Sequence, residues 1–174
     1  MGAAAWTALG TWFLVSGTLL AVYWQSRQQR RINSANSVMI LHDRFESSVM
    51  KSQRKQLAST LAIRTPLNQD DDHILVFFET IGLLTHQHVL SEDMVWNEFC
   101  WEVVRYYVAL TKPQNHIAVL REASHDKTLY CEFEWLFNRL IAMDCRRRAA
   151  GREVVTPNEE EVKAFLAGEA ALTT

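Results

Sequence analysis

The chain has 174 residues, 48% of them hydrophobic, and carries 18 lysines and arginines against 20 aspartates and glutamates. Ten of these cations and eighteen of the acids lie beyond residue 64. This acidic balance argues against a nucleic-acid duplex as partner, since a duplex-binding surface needs clustered positive charge.

The first 26 residues carry no charged side chain, and an apolar run occupies residues 3–24. The run has about the 20 residues that a helix needs to cross a bilayer, with aromatic rings towards both ends. We therefore predict a transmembrane anchor over residues 5–24. A cleaved signal peptide is disfavoured because no basic residue precedes the run, and a buried soluble helix is disfavoured because the run has no polar face.

Three arginines, Arg27, Arg30 and Arg31, follow the apolar run directly. Basic residues that flank a membrane helix stay on the cytoplasmic side. The sequence thus predicts a single-pass protein of the inner membrane, with its N-terminus outside and its C-terminus in the cytoplasm. We expect the three arginines to contact anionic lipid headgroups.

Glycine and proline are rare beyond the apolar run, which favours long helices over a sheet. The predicted fold is all-α, with a cytoplasmic bundle of about four to five helices after the anchor. The predicted parts are a transmembrane anchor at 1–26, a basic juxtamembrane helix at 27–64, a helical core at 65–150 that packs with part of 33–62, and a short C-terminal helix and tail at 151–174.

The first cytoplasmic helix is predicted over about 33–62, where apolar residues recur at spacings of three and four. Its buried stripe is predicted to comprise Val38, Leu41, Phe45 and Val49. The stretch 51–56 is polar all round and is expected to be exposed. Thr65–Asp72 breaks this helix, and the period of Ile74–Leu84 predicts the second.

The third helix is predicted from Ser91, as its N-cap, to the Lys112-Pro113 pair. It is apolar almost all round, which is typical of a central, buried helix. We therefore expect both Phe99 and Trp101 to lie in the core, with Glu98, Glu102 and Arg105 as the polar stripe.

Two further helices follow in the sequence. The fourth is predicted from about Asp126 to Ala149, with Arg146, Arg147 and Arg148 in its last turn, where cations favour the helix dipole. A small nucleotide bound by this triplet stays open as an alternative. The fifth is predicted from a capping box of Thr156 and Glu159.

Three stretches of the sequence resemble those of a known family: Phe77–Leu84, Trp96–Tyr107 and Glu132–Leu136. With them, residues 5–145 resemble a bacterial family of unknown function whose members join an N-terminal membrane helix to a helical domain. The family has no established activity. The resemblance therefore implies the architecture and assigns no site residue.

Histidines and cysteines offer little support for a metal centre. His86 and His88 stand at one end of the second helix, and His73 with Asp70–Asp72 stands roughly 20 Å away at the other. No CxxC pair is present, and Cys100 and Cys131 lie in apolar runs as expected core residues. We predict no metal site and no disulfide.

Three carboxylates lie in apolar surroundings, namely Glu79, Glu132 and Glu134. A buried carboxylate could serve as an acid or base, but pairing with an arginine is the more usual fate. Arg105, Arg121 and Arg139 are the predicted partners. Because no catalytic motif is present, we predict neither an enzyme nor a cofactor and assign no catalytic residue.

Two functional hypotheses follow. The first is a membrane-tethered scaffold or interaction module that binds a protein partner or a second copy of itself. The alternative is an effector that senses a small cytoplasmic ligand, such as a nucleotide signal, and acts on the membrane. Few polar residues line the anchor, which favours the first hypothesis.

Overall fold

The computed structural model describes residues 3–63, 67, 72–147 and 156–173, with side chains described from residue 18 onward. These residues form seven α-helices and no strand, so the predicted all-α class is confirmed. The helices are α1 (Ala3–Phe45), α2 (Ser48–Ala62), α3 (His73–His86), α4 (Glu92–Thr111), α5 (His116–Ala123), α6 (Cys131–Arg147) and α7 (Glu159–Ala170).

Helix α1 is one continuous rod of 43 residues, about 65 Å long at 1.5 Å per residue. It joins the apolar run, the three arginines and the first segment of the core without a break. The predicted anchor lies mostly outside the residues whose side chains are described. Among the described residues, no helix has the length and apolar character needed to cross a membrane.

The prediction of one helix over 33–62 is wrong, because α1 ends at Phe45 and a separate helix, α2, begins at Ser48. Ser47 is the N-cap of α2, and its Oγ accepts a hydrogen bond from the backbone N–H of Met50 at 3.3 Å. The break changes the phase of the apolar stripe. Met50 is consequently buried, whereas Val49, predicted to be buried, is 68% exposed.

Helix α4 lies at the centre of the bundle, and its buried residues meet an aromatic core. Ring contacts connect α1 to α7 through this core: Phe45–Phe77, Phe45–Phe99, Phe77–Phe78, Phe78–Phe133, Phe78–Tyr106 and Tyr106–Phe165. Phe99 is buried as predicted, but Trp101 is 53% exposed. The prediction for Trp101 is wrong because one strip of α4 is left uncovered by the other helices.

Helices α3 and α6 approach each other closely at Gly82. A Cβ atom at this position would collide with the backbone carbonyl oxygen of Glu132, so the crossing requires glycine. Three residues away, the carboxylate of Glu79 accepts a hydrogen bond from the backbone N–H of Phe133 at 2.6 Å. Glu79 therefore caps the start of α6 from a neighbouring helix.

The helix boundaries depart from prediction at three further places. Helix α5, capped by the Asn115 side chain, was not predicted. The next helix begins at Cys131 and not at Asp126. The capping box of the C-terminal helix pairs Asn158 with Glu161 and does not use Thr156 and Glu159. Arg148, placed in the last turn of the fourth predicted helix, lies outside the described residues.

Candidate interaction surface

Every described side chain of α1 over 18–33 is exposed. The large apolar residues of this stretch are between 54% and 70% exposed: Leu19, Leu20, Val22, Tyr23 and Trp24. Arg27, Arg30 and Arg31 follow and are exposed as well. Since exposed apolar area is costly in water, this stretch requires a cover that the rest of the described chain does not supply.

Beyond residue 33, α1 has one face on the bundle. Val38 and Phe45 are buried on this inner face. The hydroxyl oxygen of Ser34 is buried there too, and it accepts a hydrogen bond from the backbone N–H of Ser91 at 2.6 Å. His42 Nδ1 lies 2.6 Å from Glu98 Oε1. These polar contacts fix the rotation of α1 about its own axis.

The opposite, outer face of α1 carries three apolar side chains: Ile32, Met39 and Ile40. They are between 47% and 67% exposed. Ile32 and Met39 are seven residues apart, so they lie almost above one another on the helix surface. We call these three residues the outer stripe. It continues towards the three arginines along the same rod.

A second exposed apolar feature lies on α4. The Trp101 ring packs edge-on against Phe165 of α7, at a centroid separation of 5.2 Å. The guanidinium of Arg105 stacks over this ring at 3.8 Å. Trp and Arg are among the residue types that most often dominate binding energies, and here the two side chains contact each other at an exposed position.

The three carboxylates singled out in the sequence each contact another group of the helical bundle. Glu134 pairs with Arg121 at 2.9 Å, as predicted, and Arg121 Nε also donates to the carbonyl oxygen of Leu129. Arg139 pairs with Glu92 at 2.7 Å, which is a partner that was not predicted. Arg105, the third predicted partner, stacks on Trp101 instead.

Glu132 and His86 form a separate contact. His86 Nδ1 lies 2.8 Å from Glu132 Oε2, and its ring stacks on Trp135 at 4.4 Å. The described residues hold no cluster of three or more side chains suited to a metal ion. Cys131, predicted to be a core residue, is exposed.

The most tightly organised polar group in the described structure was missed by the sequence analysis. Arg54 was expected to be exposed, because its neighbours are polar, but it is 6% exposed and so is Glu169 of α7. Arg54 Nε and Nη2 each donate to one carboxylate oxygen of Glu169 at 2.7 Å. The Tyr106 hydroxyl donates to the same carboxylate at 2.5 Å.

Burial lowers the pKa of the Arg54 guanidinium, but the hydrogen bonds and charge of Glu169 outweigh this effect and raise it overall. Burial and the same carboxylate raise the pKa of the Tyr106 phenol, so the hydroxyl stays protonated and donates. The guanidinium also stacks over Phe45 at 4.0 Å. Arg54 therefore connects α1, α2, α4 and α7 within one buried network.

Glu102 lies one turn before Tyr106 on α4. Burial raises the pKa of its carboxyl group, and its Oε2 atom is buried without a hydrogen-bond partner in the described structure. It was predicted to lie on a solvated stripe with Glu98 and Arg105. Glu102 is therefore one more acidic group close to Arg54 and Glu169.

The comparisons with known proteins give one match. A family described as a domain of unknown function, DUF4760, matches residues 2–140. The chain belongs to the DUF4760 family. This agrees with the resemblance to a family of unknown function found in the sequence. Comparison with curated proteins and with solved structures gives no match.

The DUF4760 match includes the outer stripe, Trp101 and Arg54, but it ends within α6. Helix α7, which supplies Glu169 and Phe165, lies beyond it. Glu169, the buried partner of Arg54, therefore lies outside the part of the chain that the DUF4760 family defines.

Proposed function

We propose that this protein is a membrane-tethered helical module that associates with a second copy of itself at the cytoplasmic face of a bacterial inner membrane. Residues 5–24 would serve as its single transmembrane anchor. The observation that carries the proposal is the stretch 18–32 of α1, whose described side chains are all exposed. Its described apolar side chains are exposed over 18–24, and a bilayer would cover them.

The three arginines support the orientation. They stand between the apolar stretch and the folded bundle, all of them exposed. Each basic side chain near an anionic leaflet contributes about 1 kcal/mol, and flanking positive charge stays inside. The folded domain would therefore lie in the cytoplasm, with Arg27, Arg30 and Arg31 against the lipid headgroups.

The outer stripe supports a second copy as the partner. Chains anchored in one membrane share their orientation, so their α1 helices would stand parallel and in register. Identical apolar faces then meet across a twofold axis, which is the commonest symmetry of protein oligomers. Enzymatic activity, a cofactor and a nucleic-acid duplex form no part of the proposal.

The anchor and its orientation are tested on the full chain in cells. We expect alkaline carbonate to leave the protein in the membrane fraction. A reporter active only in the cytoplasm, fused to Thr174, should be active. Replacing Arg27, Arg30 and Arg31 with glutamine, and inserting three lysines before Trp6, should invert a fraction of the molecules because the positive flank has moved.

A control chain keeps the arginines and receives three glutamines before Trp6, which changes its length and leaves its charge unchanged. Release of the protein by carbonate would contradict the anchor. A silent reporter, together with protease access to the C-terminus from outside, would contradict the orientation.

A further inference from the structure

A cleft of about 280 Å³ opens between α2, α7, the end of α4 and the start of α5. Its floor is apolar and formed mainly by Leu61, Ala109, Val162 and Leu166, and each of these side chains is buried. Ligand sites of small proteins typically combine such a floor with a few placed polar groups.

The polar group that distinguishes this cleft is His116, the first residue of α5. It lines the cleft and is only 7% exposed. Within the described structure its imidazole has no hydrogen-bond or ionic partner, yet neither ring nitrogen is fully sealed from solvent. Buried polar side chains are normally hydrogen-bonded, so the hydrogen-bonding capacity of His116 is available to a molecule in the cleft.

Three charged side chains line the cleft, namely Lys112, Lys163 and Glu159. Lys112 is exposed there, and its ammonium group has no ionic partner among the described residues. Lys163, on the opposite wall, is held by Glu159 and Glu160 at 3.3 and 3.1 Å. The N-terminal end of α5, beside His116, adds the positive end of a helix dipole. These features favour an anionic head on the ligand.

We propose that this cleft binds a small monocarboxylate with an apolar body. The carboxylate would accept hydrogen bonds from the Lys112 ammonium and the His116 imidazole. The apolar body would lie on Leu61, Val162 and Leu166. The site is independent of the proposed tether, because it lies entirely within the helical bundle.

The probe is 4-phenylbutyrate, a water-soluble acid with an apolar ring. Saturation-transfer NMR follows its titration against the full chain in lipid nanodiscs, with empty nanodiscs as the blank. We expect saturable binding that weakens about tenfold in Lys112→Gln, the loss typical of one charge-assisted hydrogen bond. The original chain should bind 4-phenylbutanol, which lacks the charge, about tenfold more weakly than 4-phenylbutyrate.

Two further variants locate the site. Ala167→Phe would fill the cleft from an exposed position on α7 and should abolish binding, whereas Lys127→Gln, on an exposed loop away from the cleft, should leave it unchanged. Absence of saturable binding to the original chain would overturn the proposal. Equal affinities for the original, Lys112→Gln and Ala167→Phe chains would overturn it as well, because the probe would then bind elsewhere.

Discussion

Replacing Glu169 with alanine is expected to lower the free energy of unfolding by about 3 kcal/mol, the lower end of the usual cost of breaking a buried ion pair, because Arg54 keeps Glu46 as an ionic partner at 3.1 Å. The guanidinium of Arg54 would lose both hydrogen bonds to the carboxylate, and the Tyr106 hydroxyl would lose its acceptor. This is a large share of the ~5–15 kcal/mol by which domains of this kind are stable. Denaturant unfolding of the full chain, followed by tryptophan fluorescence, measures the change.

The matched control is Glu160→Gln on the same helix. Glu160 pairs with Lys163 at 3.1 Å but is exposed, and such surface pairs contribute about 0–1 kcal/mol. A double variant, Arg54→Met with Glu169→Leu, should recover only part of the loss, because no buried charge is left without its partner but the buried Tyr106 hydroxyl still lacks its acceptor. If Glu169→Ala destabilised the protein no more than Glu160→Gln does, the buried network would have no stabilising role.

Truncating two aromatic residues of α4, Phe99 and Trp101, should lower the free energy of unfolding by very different amounts. Phe99 is 1% exposed and stacks edge-on with Phe45, so Phe99→Ala should cost about 3–5 kcal/mol. Trp101 is 53% exposed, and its ring contacts Phe165 and Arg105. Trp101→Ala should therefore cost about 1 kcal/mol.

Denaturant unfolding of the two variants, in parallel with the original chain, measures this difference. Trp101 is the larger side chain, so its removal would be the more harmful change if both residues were in the core. Equal losses for the two variants would show that α4 is covered on the side where the structure leaves it open.

The fold class could be predicted from the sequence because helical periodicity is a local property. The spacing of Val38, Leu41 and Phe45 placed the inner face of α1 correctly. The helix break at Ser47 could not be foreseen, since serine is compatible both with a helix interior and with an N-cap. Once the break was missed, the phase of the next stripe was wrong, and Val49 was predicted to be buried in place of Met50.

The buried network could not be predicted because its members are far apart in sequence. Arg54 lies among polar residues in the sequence, and its buried carboxylate partner, Glu169, lies 115 residues away. Trp101 is the reverse case, because it was predicted to be buried and is exposed. A helix that is apolar almost all round gives no sign of which face its neighbours leave uncovered.

The proposed tether and the proposed cleft also differ in how far each can be predicted from the sequence. The apolar run and the three arginines are contiguous, so the tether can be proposed from sequence alone. The cleft depends on four helices and a loop, and His116 looks in the sequence like any other histidine of a connecting segment. Pairing with an arginine was predicted correctly for Glu134, whereas Glu132 contacts His86 and Glu79 accepts a backbone hydrogen bond.

Photo-cross-linking at the outer stripe, in intact membranes, tests the proposed self-association most directly. We place p-benzoylphenylalanine at Met39, with Val119, exposed on α5, as the control position and Trp101 as the competing surface. Irradiation should give an adduct of twice the monomer mass from Met39 and none from Val119, because parallel α1 helices would bring two outer stripes together. Absence of that adduct at Met39, or its formation only at Trp101, would contradict association through α1.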